Sequence, residues 1–514
     1  MKRTGSRAFT VAAVYAICAL IVLAPIATLG IPGFGDTLNH LARMHVLATI
    51  DHSADLQRFY RVKWTPIPYL AMDIVVPPLL QFLPIYAAGK LFMVLCMLLP
   101  VAATAVLHYV VHRRLSLVPC AAFLVSANFS LTMGFLNFLF TAALAILLFA
   151  GWIAAADLGR WRRALLFAPG VLALYFGHAF GCLSYCLAVG GLELAGAIRA
   201  RFRPLPTVLA NLAAAFAQAI PTLGFALTLN VSAGYLGPLH NYYGRVGEKI
   251  AAFLSPVMFL NDALNISVAL ACGVVFLLLA RYVRLSRALW PACLAVGLAA
   301  LLIPHVLFST WWTDFRLPFV TALLLIAALS LPFGRVGAAI CVAFLFALLS
   351  LKSVDAWGTL RQADVQFAEM RAVLAHLPRG ARLLVVNPIG HGTGHEKLPL
   401  NTAWNLPLVA VIDRDAFEPS FFTGLTTVRV QPAYRNASTP NGLPITMAQL
   451  WEGLATPDDG TDHDDGQGAR LYHFGWPGKF DYVLVERYGN DPGKMPGNLA
   501  LVVQGEDIDL YAVK

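Results

Sequence analysis

Apolar residues in this chain come in long unbroken runs, not in alternation. Up to about residue 351, stretches of about 20 apolar residues follow one another, the length at which a helix rising about 1.5 Å per residue crosses a hydrocarbon core. A membrane barrel would instead show alternating segments of about ten residues. The runs predict spans near 9–30, 90–111, 117–133, 135–156, 164–178, 180–198, 205–230, 264–283, 288–308, 317–333 and 336–351. The stretch 66–86, PIPYLAMDIVVPPLLQFLPIY, is apolar but carries five prolines and Asp73. Proline inside a helix removes a hydrogen bond and clashes with the preceding turn. The stretch therefore reads as a re-entrant or interfacial piece, which must be buried in protein or line a cavity. Beyond residue 352 the runs shorten. Residues 355–377 predict an amphipathic helix, and 382–387, 480–485, 499–504 and 510–513 predict strands. The predicted architecture is an α-helical polytopic membrane protein of about 11 transmembrane helices with a C-terminal soluble α/β domain. Residues 1–351 form its membrane domain, with an outer loop at 31–68, and residues 352–514 form its extracytoplasmic domain.

Composition agrees. Of 514 residues, 58% are hydrophobic and 13% charged, with a mean hydropathy of +0.68, against about 25% charged in ordinary soluble domains. The net charge of +9 does not indicate nucleic acid, because the basic residues form small clusters between apolar runs. Those clusters are Arg113–Arg114, Arg160 to Arg163, Arg199 to Arg203, Arg281 to Arg287, and Arg335. With the basic N-terminus (Lys2, Arg3, Arg7) inside and 9–30 retained as the first span, every cluster falls on the cytoplasmic side. Had 66–86 been a full crossing, all later clusters would face outward. The same alternation puts the C-terminal domain outside. The eight cysteines lie in apolar runs without zinc or disulfide spacing; Cys182 and Cys186 read as packing residues.

Polar chemistry gathers on the outer side. In residues 34–63, Asp36, His40 and Arg43 stand at i, i+4 and i+7, one face of a helix. Asp36 also suits the N-cap of a helix starting at Thr37, although capping alone does not account for His40 and Arg43 on the same face. Arg58, Arg61 and Lys63 follow. Other outer segments bring Asn128, Gly134 and Asn137, then His178 within FGHAFG. They also bring His240, Tyr242, Tyr243, Arg245 and Lys249, and finally His305, Trp311, Trp312, Asp314 and Arg316. Trp311 and Trp312 read as an interfacial belt. Charges are costly at mid-bilayer, and these collect at one face instead. Guanidinium and ammonium groups there suit a phosphate or pyrophosphate, and a carboxylate suits proton abstraction or metal binding. His391 and His395 in HGTGH, and the acidic stretch 458–468, are weak metal patterns, the first broken by glycines and the second without EF-hand spacing.

An acid in GFGDTLNHLAR, just after the first span, on a polytopic chain with a soluble C-terminal domain, resembles the GT-C class of membrane glycosyltransferases. That class includes the protein O-mannosyltransferases, aminoarabinose transferases and oligosaccharyltransferases. Asp36 occupies the position of the essential first-loop acid, without the paired acids of several subfamilies. The resemblance implies transfer of a sugar from a polyprenyl-phosphate donor to a glycan, lipid or protein acceptor on the outer side of the membrane. Asp36 would be the catalytic base. His40, Arg43, Lys63, Asn137, His178 and Arg316 would bind substrate, with Arg43, Lys63 or Arg316 on the donor phosphate and His40 and His178 orienting Asp36 or the sugar. The partners implied are membrane lipid and the lipid-linked sugar, with no nucleic acid. The resemblance names no cofactor and leaves open a divalent cation, for which Asp36 would be a ligand instead of the base. The implied location is a bacterial-type inner (plasma) membrane, with a periplasmic or extracellular C-terminal domain. The rival readings are a lipid or polysaccharide transporter and a non-catalytic cell-envelope assembly protein. A transporter would place polar residues and broken helices at mid-depth, where this sequence shows few.

Overall fold

The computed structural model describes residues 2–228, 240–308, 310–332, 334–388, 405–423, 426–440, 442–458 and 471–514. The first helix, α1 (Lys2–Thr28), is followed by the short buried α2 (Thr37–Thr49), a two-turn passage, and the strand β1 (Tyr60–Val62). The proline-rich stretch folds as α3 (Ala71–Leu79), about 13 Å long at the helical rise and too short to cross. Its Pro77 and Pro78 fall in the last turn, where the chain leaves the helix. Then come α4 (Ile85–His112), α5 (Leu136–Ala154), α6 (Arg160–Gly177), α7 (Ala179–Arg199), α8 (Leu205–Ala217), α9 (Ile220–Thr228), α10 (Asp262–Leu279), α11 (Trp290–Leu302), α12 (Arg316–Ala328) and α13 (Arg335–Leu374).

Among the described residues, six helices are long and apolar enough to cross a membrane: α1, α4, α5, α7, α10 with its last turn, and α13. A seventh crossing results if α8 and α9, bent by 48° at their junction, count as one span. The expected span 117–133 is not one helix. It is a 3-10 turn (Val118–Ala122) and two four-residue turns (Phe123–Ser126, Phe129–Thr132). Asn128 causes the break. Its backbone is extended, its Oδ1 accepts from Leu131 N at 3.1 Å and its Nδ2 donates to Val125 O at 2.8 Å. Polar side chains that bond locally compete with a continuing helix in this way.

The helix α13 runs 40 residues without interruption across the expected domain boundary at 352. Its first half is apolar; its second half buries Ala356, Leu360, Ala363, Phe367, Met370, Val373 and Leu374, a 3–4 residue stripe. That stripe covers a four-stranded sheet of β2 (Leu383–Val386), β4 (Tyr482–Glu486), β5 (Leu499–Gln504) and β6 (Ile508–Val513). The order is β2-β4-β6-β5, with β2 and β4 parallel and the other pairs antiparallel. Between β2 and β4 lies a further strand, β3 (Val428–Val430), which leaves this sheet and pairs with β1 of the first loop.

That pairing ties the chain's two ends together. Asn405 donates to Gly35 O at 2.8 Å and meets Asn39 at 3.3 Å, and Asn39 Oδ1 accepts from Phe422 N at 2.8 Å. Phe59, Tyr60, Phe417, Phe421 and Tyr434 pack in edge-to-face, tilted and stacked pairs across the junction. The first loop and the C-terminal region are thus one packed unit laid over the helix ends.

Candidate active site

Asp36 stands where two loops touch. Its N–H donates to Met133 O at 3.1 Å, and Thr37 N donates to Phe34 O at 2.7 Å. Gly35 (φ +32°) and Gly134 (φ +72°) make this approach sterically allowed. A Cβ on Gly134 would lie 2.6 Å from Asp36 N, and one on Gly35 would lie 2.3 Å from Met133 O. Asp36 occupies the N-cap position of α2, yet its carboxylate makes no capping hydrogen bond. The capping reading therefore fails, and the carboxylate is left partly exposed amid fully buried neighbours.

Those neighbours come from separate elements. α2 supplies His40 and Arg43, and the coil before α3 supplies Tyr69. Asn137 opens α5, His178 stands between α6 and α7, and Arg316 opens α12. Tyr69 is the hub. Its hydroxyl lies 3.3 Å from His40 Nε2, its ring is 5.6 Å from the His40 ring and 5.5 Å from the His178 ring, and the Arg43 guanidinium lies 5.7 Å from it. Asn137 Oδ1 accepts from Met72 N at 2.7 Å, which anchors α3 to α5. His178 Nδ1 accepts from Phe180 N at 3.1 Å, so its proton sits on Nε2.

Two arginines set the electrostatics. Arg43 is 1% exposed and paired with Asp73: Nε and Nη2 reach Oδ1 at 3.0 and 2.7 Å. Asp73 Oδ2 accepts from the Thr427 hydroxyl at 2.7 Å. Arg316 is 4% exposed and, among the described residues, has no carboxylate within ion-pair distance. Its Nη1 donates to Trp311 O and Trp312 O, and it lies over the rings of Phe135 and Phe180. Arg43 Nη1, Arg316 Nε, Asn137 Nδ2 and His40 Nδ1 are buried without partners among the described residues. Buried polar groups are normally satisfied, so four orphaned nitrogens on the residues gathered about Tyr69 describe a site shaped for an acceptor-rich, anionic ligand.

Burial pushes the Asp36 carboxyl up to about 7, with Arg316 and Arg43 pulling the other way. Burial, reinforced by Arg43, holds His40 well below its usual range and therefore neutral. Burial and the Asp36 charge push the Tyr69 hydroxyl up to about 12. A carboxyl near 7 is matched to proton abstraction at neutral pH.

Of the residues expected from sequence, Asp36, His40, Arg43, Asn137, His178 and Arg316 come together. Lys63 does not: it is exposed just beyond β1, with its backbone N–H on Thr427 O at 2.8 Å. Tyr69 and Asp73 complete the site and were not among the expected residues. Their signal was an acid within the apolar stretch 66–86, which is costly unless paired. Asp314 is bonded elsewhere, to His305 Nδ1 at 3.0 Å and Lys249 Nζ at 2.9 Å. His391 and His395, and all but Asp458 of the acidic stretch, lie outside the described residues. Among the described residues no three His, Cys, Asp or Glu side chains group to hold a metal ion. A single carboxylate facing two guanidinium groups does not suit a divalent cation, which needs several oxygen ligands.

The fold that carries this site has a counterpart among solved structures. A solved structure that shares the fold is ArnT from Cupriavidus metallidurans bound to undecaprenyl phosphate. The likeness has a TM-score of 0.50 and covers 98% of this chain and 97% of that one, at 12% sequence identity. No protein-family model matches the chain, and comparison with curated protein sequences finds no match.

Proposed function

We propose that the protein transfers a sugar from a polyprenyl-phosphate donor to an acceptor hydroxyl at the outer face of a bacterial-type inner membrane. The observation that carries this reading is the uncapped, unbonded Asp36 carboxylate facing two buried arginines whose spare N–H groups have no partner among the described residues. An undecaprenyl phosphate bound to a structure of the same fold supports a lipid-phosphate ligand. Arg316 Nε and Arg43 Nη1 donate to the donor phosphate. Asp36 removes the acceptor proton as the acceptor oxygen forms its bond to the anomeric carbon. The bond from that carbon to the phosphate oxygen breaks, and its electron pair leaves on the polyprenyl phosphate. The two guanidinium groups stabilise the charge that develops there. His40 and Tyr69 hold the sugar and the Asp36 side in place. The arginine clusters at the opposite helix ends support a cytoplasmic N-terminus and an outer C-terminal domain.

The test is transfer by purified protein from a panel of polyprenyl-phosphate sugars, wild type against Asp36→Asn. Loss of a general base lowers the rate by about 10²–10⁴-fold. Transfer by Asp36→Asn at the wild-type rate overturns the reading.

A further inference from the structure

The ribbon joining the first loop to the C-terminal region carries a charge arrangement that the active site does not use. Its register sets Arg61 directly opposite Arg429. Tyr60 and Val428 turn to the buried face, so both arginines stand on the other one. The two-residue period of a strand puts Lys63 on that same face. Like charges directly opposite one another destabilise a strand pair, and a two-stranded ribbon has little stability to spare. Among the described residues no carboxylate relieves the repulsion. Acids of this region are engaged elsewhere: Asp73 with Arg43 and Thr427, Asp481 with Arg382, Asp415 with His45 and Arg379, and Glu418 with Ser420. Arg429 is partly buried, and its Nε is fully buried without a partner. An unpaired buried donor is costly.

We propose that Arg61, Arg429 and Lys63 form a second oxyanion site that holds a phosphate-type group at the lip of the active site. A tetrahedral oxyanion accepts from both guanidinium forks at once. It cancels the cross-strand repulsion and satisfies the Arg429 Nε–H. The position gives it a purpose. Thr427, two residues before Arg429, bonds Asp73, which holds Arg43. An anion on the ribbon therefore sits one strand away from the active-site network. Its source is either the head group of a membrane lipid or a phosphoryl group on the acceptor. The link to an acceptor rests on the glycosyltransferase reading; binding of the anion does not.

The test uses the full-length protein in phosphatidylcholine nanodiscs, following thermal unfolding as inorganic pyrophosphate is added. The active site also binds anions, so the readout is the part of the Tm shift that R61Q/R429Q removes and R316Q retains. The double variant is expected to respond with an apparent affinity about tenfold weaker than wild type. R61E, which supplies Arg429 with a carboxylate, is expected to raise Tm without pyrophosphate and to lose the ribbon's share of the response. Identical titrations for wild type and R61Q/R429Q overturn the proposal, as does a lowered Tm for R61E. In discs containing phosphatidylglycerol and no pyrophosphate, a wild-type gain over R61Q/R429Q identifies a lipid head group as the source. A gain confined to pyrophosphate identifies a soluble phosphoryl group. D36N is expected to keep the pyrophosphate response while losing sugar transfer, so the two readings fail independently.

Discussion

Asp36 and Arg316 are each costly without a ligand, and for opposite reasons. Among the described residues, the carboxylate sits in a largely buried cluster without a capping hydrogen bond, and the guanidinium is buried without an ion partner. Because burial raises the Asp36 carboxyl to about 7, its active base form appears as pH rises through 7. The rate of sugar transfer at limiting substrate should therefore climb about tenfold for each step of one in pH below 7 and level off above it. A profile flat from pH 5.5 to 8 would remove Asp36 as the base. The Arg43–Asp73 pair is the site's internal anchor. Breaking a buried pair leaves an uncompensated charge and costs about 3–5 kcal/mol. Asp73→Ala should accordingly lower Tm sharply. Thr427→Val removes one hydrogen bond to Asp73, at about 1 kcal/mol, and should lower Tm slightly while still slowing transfer. Equal melting of Asp73→Ala and wild type would show that Arg43 is held by something else.

At the scale of elements, the decisive contact is between two glycine turns. Gly134 carries φ +72°, and an added Cβ would strike Asp36 N and Phe34 O. Gly134→Ala should displace Asp36 from the loop that holds it. The expected result is transfer reduced by about 10²-fold, the cost of misplacing a reacting group by about 1 Å, with a modest loss of stability. Unchanged transfer in this variant would show that the Asp36 backbone need not be fixed from that side. The apolar runs placed most of the helices within a few residues, though not the break inside 117–133 or the continuation of the last run to Leu374, and the strands at 499–504 and 382–387 were legible from their β-branched composition. The shared face of Asp36, His40 and Arg43 was legible from helical spacing. Tyr69 and the Asp73–Arg43 pair were not. They depend on how the stretch 66–86 folds back, and no local period encodes a contact 30 residues away. The break at Asn128 was hidden for a related reason. Its neighbours are apolar enough for a span, and one side chain's local hydrogen bonds decide the outcome. The pairing of β1 with β3 joins positions more than 360 residues apart, beyond any pattern along the chain.

At the scale of the molecule, α13 links the membrane helices to the C-terminal sheet without a hinge, and that sheet's region carries buried acids of its own. Glu418 accepts from Ser420 N and Oγ at 2.8 and 2.7 Å, and Glu486 accepts from the Tyr488 hydroxyl at 3.1 Å. Burial raises the first to about 7 and the second to about 8. With Asp36, three carboxyls are thus held protonated in the folded chain at pH values where the unfolded chain has released its protons. The folded state binds more protons across roughly pH 4 to 8, so each of these groups makes stability fall as pH rises through that window. A tenfold difference in proton affinity between folded and unfolded chain corresponds to about 1.4 kcal/mol, and together the three acids account for a pH-dependent loss on the order of several kcal/mol. His40 acts in the opposite direction. Its folded pKa is depressed, so its contribution is lost as pH falls below the unfolded value of about 6.5. Three acids outweigh one histidine, so these groups together make stability decline as pH rises from about 5 toward 8.5, while the base form of Asp36 that transfer needs grows over that same decline. Glu486→Gln keeps an acceptor for Tyr488 and removes the proton. Its Tm should decline less between pH 6 and 8.5 than that of wild type, and Glu418→Gln should flatten the curve further. Melting curves of the two variants that run parallel to wild type across this range would show that the acids ionise without cost, and that the sheet region is more open to water than its packing requires.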